Sequence, residues 1–401
     1  MSSVKIGSLL LILIFLGACG SGGGGDSTAT ATPTRSFAMG FTPFPYDYSA
    51  DPTLAATILD NVYTDLANNT DMVAHHFDNG IPWTDALNDN YPYNAHIMSD
   101  WQTRRDKTPP GSKIYVAITP INSDRTGLAK LRDTADDMPL TTPFDGYAST
   151  GDFNSMDVKT AYLNYCKHVI AFFNPDYLAI GIEVNLLRKN TDATTWANYV
   201  ELNHYVYTQL KALYPTLPII VSVSPVEAIA GYVGPSAEFS SAADPAAAYA
   251  ASQVSAINDV LVDSDDYAIS LYPYMTVFYN SAFPNDMLDK LFALSNKPIV
   301  IAETGMLAKD ITITVGSSTL TFTGSDTAQN DYLTRLLQKA NDYHVQFVNW
   351  FIQEDYDQLC VAVGGCTDTQ NLWRNTGLYD GTGTPRSSFT TWTQWLARPQ
   401  Q

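Results

Sequence analysis

From Ser36 onward the chain alternates short β-branched or aromatic runs with longer amphipathic stretches, and few folds accept that alternation. The runs at residues 37–42, 72–77, 114–119, 177–184, 219–224, 267–272, 298–302 and 346–351 have the length and composition of strands. Helices are expected at residues 52–67, 156–173, 194–214, 245–262, 285–295, 327–343 and 386–396, with a fainter one at 94–105. Strands separated by helices run parallel, because only a crossover of helical length can return the chain to the same edge. Eight such units predict a closed α/β (β/α)8 TIM barrel rather than an open doubly wound sheet, and no GxGxxG turn follows the first run. Residues 311–322 (ITITVGSSTLTF) break the rhythm. They alternate on both sides of Gly316-Ser317-Ser318 and predict a β-hairpin inserted after the seventh strand, beside the barrel mouth. With no internal repeat and no second linker, the 401 residues fit one barrel domain spanning residues 36–398.

The N-terminus carries a targeting signal instead of a core. A short basic region, Met1 to Lys5, precedes an apolar run, Ile6 to Leu16, that is too short to span a bilayer and has the length of a signal-peptide core. Residues 1–18 are therefore expected to be a signal peptide. Residues 20–35 (GSGGGGDSTATATPTR) have the composition of a flexible tether, which begins with Cys19. Leu16-Gly17-Ala18-Cys19 resembles the lipobox of bacterial lipoproteins. That resemblance implies lipidation of Cys19 and a chain exported to the cell envelope and anchored to a membrane.

In an exported chain disulfides persist, and Cys360 and Cys366 bracket a five-residue loop that a bridge would close. Cys166 falls within a predicted helix and has no evident partner. Neither CxxC pairs nor clustered histidines accompany these thiols, so no metal is expected on them. The 22 Lys and Arg against 41 Asp and Glu leave a net charge of −19, which repels polyanions and excludes nucleic acid as a partner. A content of 24 Tyr, 17 Phe and 7 Trp supplies flat side chains for a core or for a sugar cleft.

Barrel active sites lie at the C-terminal ends of the strands, where two glutamates stand out. Glu183 ends the fourth run in Ala179-Ile180-Gly181-Ile182-Glu183-Val184-Asn185, and a period of two puts Ala179, Gly181, Glu183 and Asn185 on one face. Glu303 caps the apolar run Pro298-Ile299-Val300-Ile301-Ala302. Hydrolysis of a glycoside needs one carboxylic acid to protonate the leaving oxygen and one carboxylate to act at the anomeric centre. A single glutamate there is as readily a cap or a loop charge; two at matching positions point to that chemistry. After the second run, His75-His76-Phe77-Asp78 offers His76 and Asp78 to hold a sugar hydroxyl or to orient Glu303, while Trp83 either stacks on a sugar or packs. His75 and His76 point to opposite faces, so a metal pair is not expected. Phe44, Pro45, Tyr46 and Asp47 follow the first run as a cleft wall or a surface loop. Glu227, Glu354 and Asp355 are reserve carboxylates, the last two read as a solvated loop. With no GxSxG motif, a serine hydrolase is excluded.

The order of these residues resembles the large clan of retaining (β/α)8 glycoside hydrolases, over about Ser36 to Arg398. The resemblance implies Glu183 as acid/base, Glu303 as nucleophile, Tyr272 of Ser270-Leu271-Tyr272-Pro273-Tyr274 touching the nucleophile, and Trp350 flooring the sugar. It also implies carboxyls about 5–5.5 Å apart. The clan has Asn directly before its acid/base, where this chain has Ile182; Asn185 is the candidate replacement for that contact with the sugar 2-hydroxyl. The expected protein is a monomeric, cofactor-free enzyme acting on a polysaccharide or oligosaccharide, with endo-action expected of a cleft rich in Tyr and Trp. A glycan-binding lipoprotein on a degenerate barrel and a metal-assisted hydrolase are the competing expectations.

Overall fold

The computed structural model describes residues 33–230, 237–315 and 318–401. Signal peptide, lipobox and most of the tether lie outside these residues. Arg35 already belongs to the folded unit: it is buried, pairs with Gln400 and forms an ion pair with Asp71, so the fold begins before Ser36.

Eight parallel strands form the barrel: β1 (Ala38–Phe41), β2 (Met72–Phe77), β3 (Lys113–Ile118), β4 (Tyr177–Ala179), β5 in two pieces (Ile219–Ile220 and Ser222–Val223), β6 (Tyr267–Leu271), β7 (Ile299–Thr304) and β8 (Phe347–Trp350). Each strand pairs with its sequence neighbour, and β8 pairs with β1 from Ala38 opposite Phe347 to Phe41 opposite Trp350. The ring is continued at β5, whose first piece pairs with β4 and whose second pairs with β6. Helices follow the predicted places because local chemistry starts them. Asp51 and Asp244 cap helices whose first residue is Pro, at Pro52–Asn69 and Pro245–Leu261, and Ser155 caps Met156–Phe173. Helix Met287–Phe292 is shorter than its apolar pattern. β4 also stops short, at Ala179 instead of Val184, with consequences for the site.

The predicted hairpin is present, with Lys309–Val315 antiparallel to Ser318–Ser325. Backbone bonds from Thr323 to Tyr279 and from Ala308 to Asn375 tie it to the loops after β6 and β8.

A small apolar cluster fills the barrel interior, with residues two apart on β2 (Met72, Ala74), β3 (Tyr115, Ala117) and β7 (Val300, Ala302). Its rings, Tyr115 and Phe347, meet at 5.0 Å towards the strand starts. Alanines 74, 117, 179 and 302 form the layer nearer the strand ends, leaving room above them for polar side chains. The larger core lies between the strands and the helices.

Candidate active site

Counting by two from Met72 and Ala74 brings His76 to the mouth of β2, and it sends His75 outward. His75 is fully buried, with Nε2 2.9 Å from the Thr108 hydroxyl and its ring against Phe173, and burial, reinforced by Arg104, lowers its pKa to about 3. His76 Nδ1 lies 2.7 Å from Glu303 Oε1, and the Tyr272 hydroxyl donates to Glu303 Oε2 at 3.0 Å. Glu303 reaches the mouth through a register shift. Ile269 pairs with Ile301 but Ser270 pairs with Glu303, so Ala302 is skipped and stays in the interior cluster directly before the carboxylate.

Glu183 is presented by a different irregularity. Past Ala179 the chain leaves the regular strand: a Cβ on Gly181 would meet the Tyr199 hydroxyl at 2.6 Å, so this glycine packs outward, and Ile182 fills the interior. Glu183 then adopts a left-handed φ of 49° and its N–H donates to Ser222 Oγ at 3.0 Å. The Ser270 hydroxyl donates to Glu183 Oε1 at 2.8 Å, and Arg125 Nη2 approaches Oε2 at 3.3 Å. Arg125 Nη1 is held by Asp78 at 3.1 and 2.9 Å and by the Asn122 carbonyl at 3.0 Å.

Charges thus alternate around the mouth from Glu303 through His76, Asp78 and Arg125 to Glu183. Burial alone would raise both glutamates. For Glu183 it prevails, aided by the charge of Glu303 and only partly offset by Arg125 and Ser270, so its pKa is raised. For Glu303 the His76 charge and hydrogen bond, Tyr272 and Arg125 outweigh burial and hold the pKa below the ordinary value. Burial would lower His76, but the Glu303 charge and hydrogen bond raise it, in keeping with an ion pair. Both carboxylates are partly open to solvent, with 20% of the Glu183 side chain and 12% of the Glu303 side chain exposed.

Three expected sugar contacts lie elsewhere. Trp83 is fully buried, stacked on Phe144 at 5.2 Å with its indole N–H donating to the Ala129 carbonyl, so it packs. Trp350 is equally buried, its ring 6.2 Å from Tyr332 and its N–H on the Thr376 carbonyl; the next residue, Phe351, stands at the mouth 6.3 Å from Tyr272. Asn185 does not share the face of Glu183, because the left-handed turn starts a short helix, Asn185–Asn190, and buries its amide against Ser224 and Gln253. Asp78 grips Arg125. Among the reserve carboxylates, Glu227 pairs with Lys189, and Asp355 is no solvated loop residue: it is fully buried, bonded to Arg386 Nη2 at 2.6 Å and to the Gly377 N–H.

Arg125 and Ser270 were not singled out by the residue pattern. Ser270 had a usable signal, since it lies two residues before Tyr272 on the inward parity of β6. Arg125 had only a weak one, a basic residue in the loop after β3 of an acidic chain. The cysteines at 360 and 366 are bridged, with Cα atoms 4.8 Å apart, and Cys166 is buried and free. Among the described residues no group of three or more His, Cys, Asp and Glu side chains could hold a metal ion.

The fold and this mouth place the chain among (β/α)8 barrels with paired carboxylates at the ends of β4 and β7. No protein-family model and no curated protein matches the sequence. Among solved structures it is similar to an exo-beta-1,4-mannosidase from Opitutaceae bacterium strain TAV5, with a TM-score of 0.55 and 11% identity over 92% of this chain. The chain spans 60% of the length of that protein. It is similar also to the GH5_18 protein of Streptomyces cattleya, solved in complex with Manb1-4GlcNAc (TM-score 0.55, 12% identity, 91% of this chain and 83% of that one). Beta-glucuronidase 2 of Bacteroides uniformis gives a TM-score of 0.50 at 12% identity over 89% of this chain and 34% of its own. At identities this low, the structural likeness shows the shared barrel fold alone.

Proposed function

We propose that the protein is a retaining glycoside hydrolase acting on a polysaccharide or oligosaccharide, with Glu303 as nucleophile and Glu183 as acid/base. The observation that carries this reading is the pair of glutamates held at one barrel mouth by different partners, Glu303 by His76 Nδ1 at 2.7 Å and the Tyr272 hydroxyl at 3.0 Å, Glu183 by the Ser270 hydroxyl at 2.8 Å, which displaces their pKa values in opposite directions. Glu303, kept ionised by His76 and Tyr272, attacks the anomeric carbon and forms a glycosyl-enzyme as the bond to the leaving oxygen breaks. Glu183, the more readily protonated, gives its proton to that oxygen and then takes one from the water that releases the sugar. Screening plant and microbial glycans, with the product's anomeric configuration followed by NMR, tests the reading. Retention is expected; inversion, or a separation outside about 5–5.5 Å between the carboxyls in a substrate complex, refutes it.

One observation favours a second reading, glycan binding on a degenerate barrel: Ile182, inside the barrel next to Glu183, offers no polar group to a sugar. Binding without turnover across the panel would select it. We further propose that the protein acts as a monomer at the cell envelope, anchored through Cys19. Cys19→Ser is expected to abolish lipid labelling and membrane association, and unchanged fractionation would refute the anchor.

A further inference from the structure

On the side of the mouth where His76 and Tyr272 hold Glu303 lies a cavity of about 320 Å³, between the loops that follow β1 and β8. Its walls are the rings of Phe44, Phe351, Tyr356 and Trp373, together with Leu359 and Val363. It is joined to the candidate site by ring contacts on two sides. Phe351 stands 6.3 Å from Tyr272, which bonds Glu303, and Phe44 stands 6.2 Å from His76, which also bonds Glu303. Phe351 also lies 5.5 Å from Phe44 and 6.4 Å from Trp373, so an aromatic path runs from the nucleophile's supports into the cavity. The Cys360–Cys366 bridge closes the loop that carries Val363 and Cys366 into the wall, fixing its shape.

Polar lining is sparse. Thr369 and Gln370 are exposed, and the Gln370 side-chain carbonyl is already engaged, accepting the Thr367 N–H at 2.8 Å in a capping box. A sugar ring has hydroxyls around its edge, and in such a cavity several would lose water without gaining a partner. An aromatic group loses no hydrogen bonds there, and edge-to-face packing on four surrounding rings favours it. The cavity is separated from Glu303 by one layer of side chains, Phe44 against His76 and Phe351 against Tyr272, whereas Glu183 follows β4 on another side of the mouth.

Resting on the glycosidase reading above, we propose that this cavity binds an aromatic acyl group esterified to the sugar on the nucleophile side of the scissile bond. The substrate class is then an aryl-esterified glycan. The probe is methyl ferulate, titrated calorimetrically into the full-length protein and into Trp373→Ala and Val363→Asp. Val363 is 49% exposed, so its charge reaches the rim without disturbing the core. Binding to the wild type that weakens at least tenfold in both variants, with unchanged melting temperatures, is the expected result. Absence of binding at millimolar methyl ferulate, or equal binding in all three proteins, overturns the proposal. An unesterified oligosaccharide whose binding falls as steeply in both variants would make the cavity an ordinary sugar subsite and also overturn it. On 4-nitrophenyl glycosides without esters, Trp373→Ala should leave KM within twofold; a larger rise would move the aromatic group to the leaving-group side and overturn the assignment. If no glycan or glycoside is cleaved at all, the glycosidase reading fails by itself, and the methyl ferulate titration still decides the cavity.

Discussion

Replacing Arg125 with Gln tests how Glu183, the proposed acid/base, is tuned. Arg125 is the cation nearest Glu183, at 3.3 Å, and it lowers the pKa of a carboxyl that burial raises. Two unit charges about 4 Å apart interact by about 4 kcal/mol at an effective dielectric constant of 20, an upper bound once water enters the vacated space. Retaining about a third of that leaves roughly 1.4 kcal/mol, equivalent to one pKa unit. Protonated Glu183 therefore persists to higher pH in Arg125→Gln. On an oligosaccharide with a poor leaving group, the alkaline limb of the kcat/KM profile should move up by about one unit. The acid limb, assigned to Glu303 in the proposed mechanism, should move less, because Arg125 follows His76 and Tyr272 among the groups that lower that carboxyl. Asp78 also loses its bonds to Nη1, costing about 2 kcal/mol of stability, readable as a lower urea midpoint. An alkaline limb that stays in place or moves to lower pH would refute both the role of Glu183 and the electrostatic reasoning.

Glu303→Gln should remove nearly all turnover, whereas Glu183→Gln should spare activated aryl glycosides that need no proton; equal loss on both substrates would contradict the assigned roles. Opening the Cys360–Cys366 bridge with Cys360→Ser and Cys366→Ser should cost about 2 kcal/mol by the loop-entropy estimate for so short a loop, measured as a fall in denaturation midpoint relative to the oxidised wild type. Glu354 is raised to about 7 by burial and by Asp65, Asp355, Asp380 and Asp47, so its folded form holds a proton that the unfolded chain releases near 4.5. Its contribution therefore falls as pH rises between those values, and Glu354→Gln should stabilise the protein at pH 8 by more than at pH 5, in urea titrations at the two pH values.

Most of the barrel was legible because a strand buried on both faces reads as an apolar run, and because Asp-Pro and Ser starts mark the helices. Side-chain direction was legible only while the period of two held. It held on β2, where Met72 and Ala74 lead to His76, and on β6, where Ala268 and Ser270 lead to Tyr272. On β8 the same count from Phe347 leads through Asn349 to Phe351 and turns Trp350 outward, so the position taken from family resemblance was the one that local periodicity opposed. The count fails at the two glutamates. A regular β7 with Val300 and Ala302 inside would send Glu303 outward, and the skipped pairing at Ala302 reverses that. A regular β4 would bring Gly181 inside and carry Asn185 into the mouth beside Glu183. Instead Ile182 fills the interior and the left-handed residue at 183 turns the chain into a helix, which buries Asn185. Each carboxylate is thus preceded by an apolar residue that seals the barrel beneath it. The local break needed for that arrangement is set by packing against neighbouring strands and helices, information that a one-dimensional pattern does not contain.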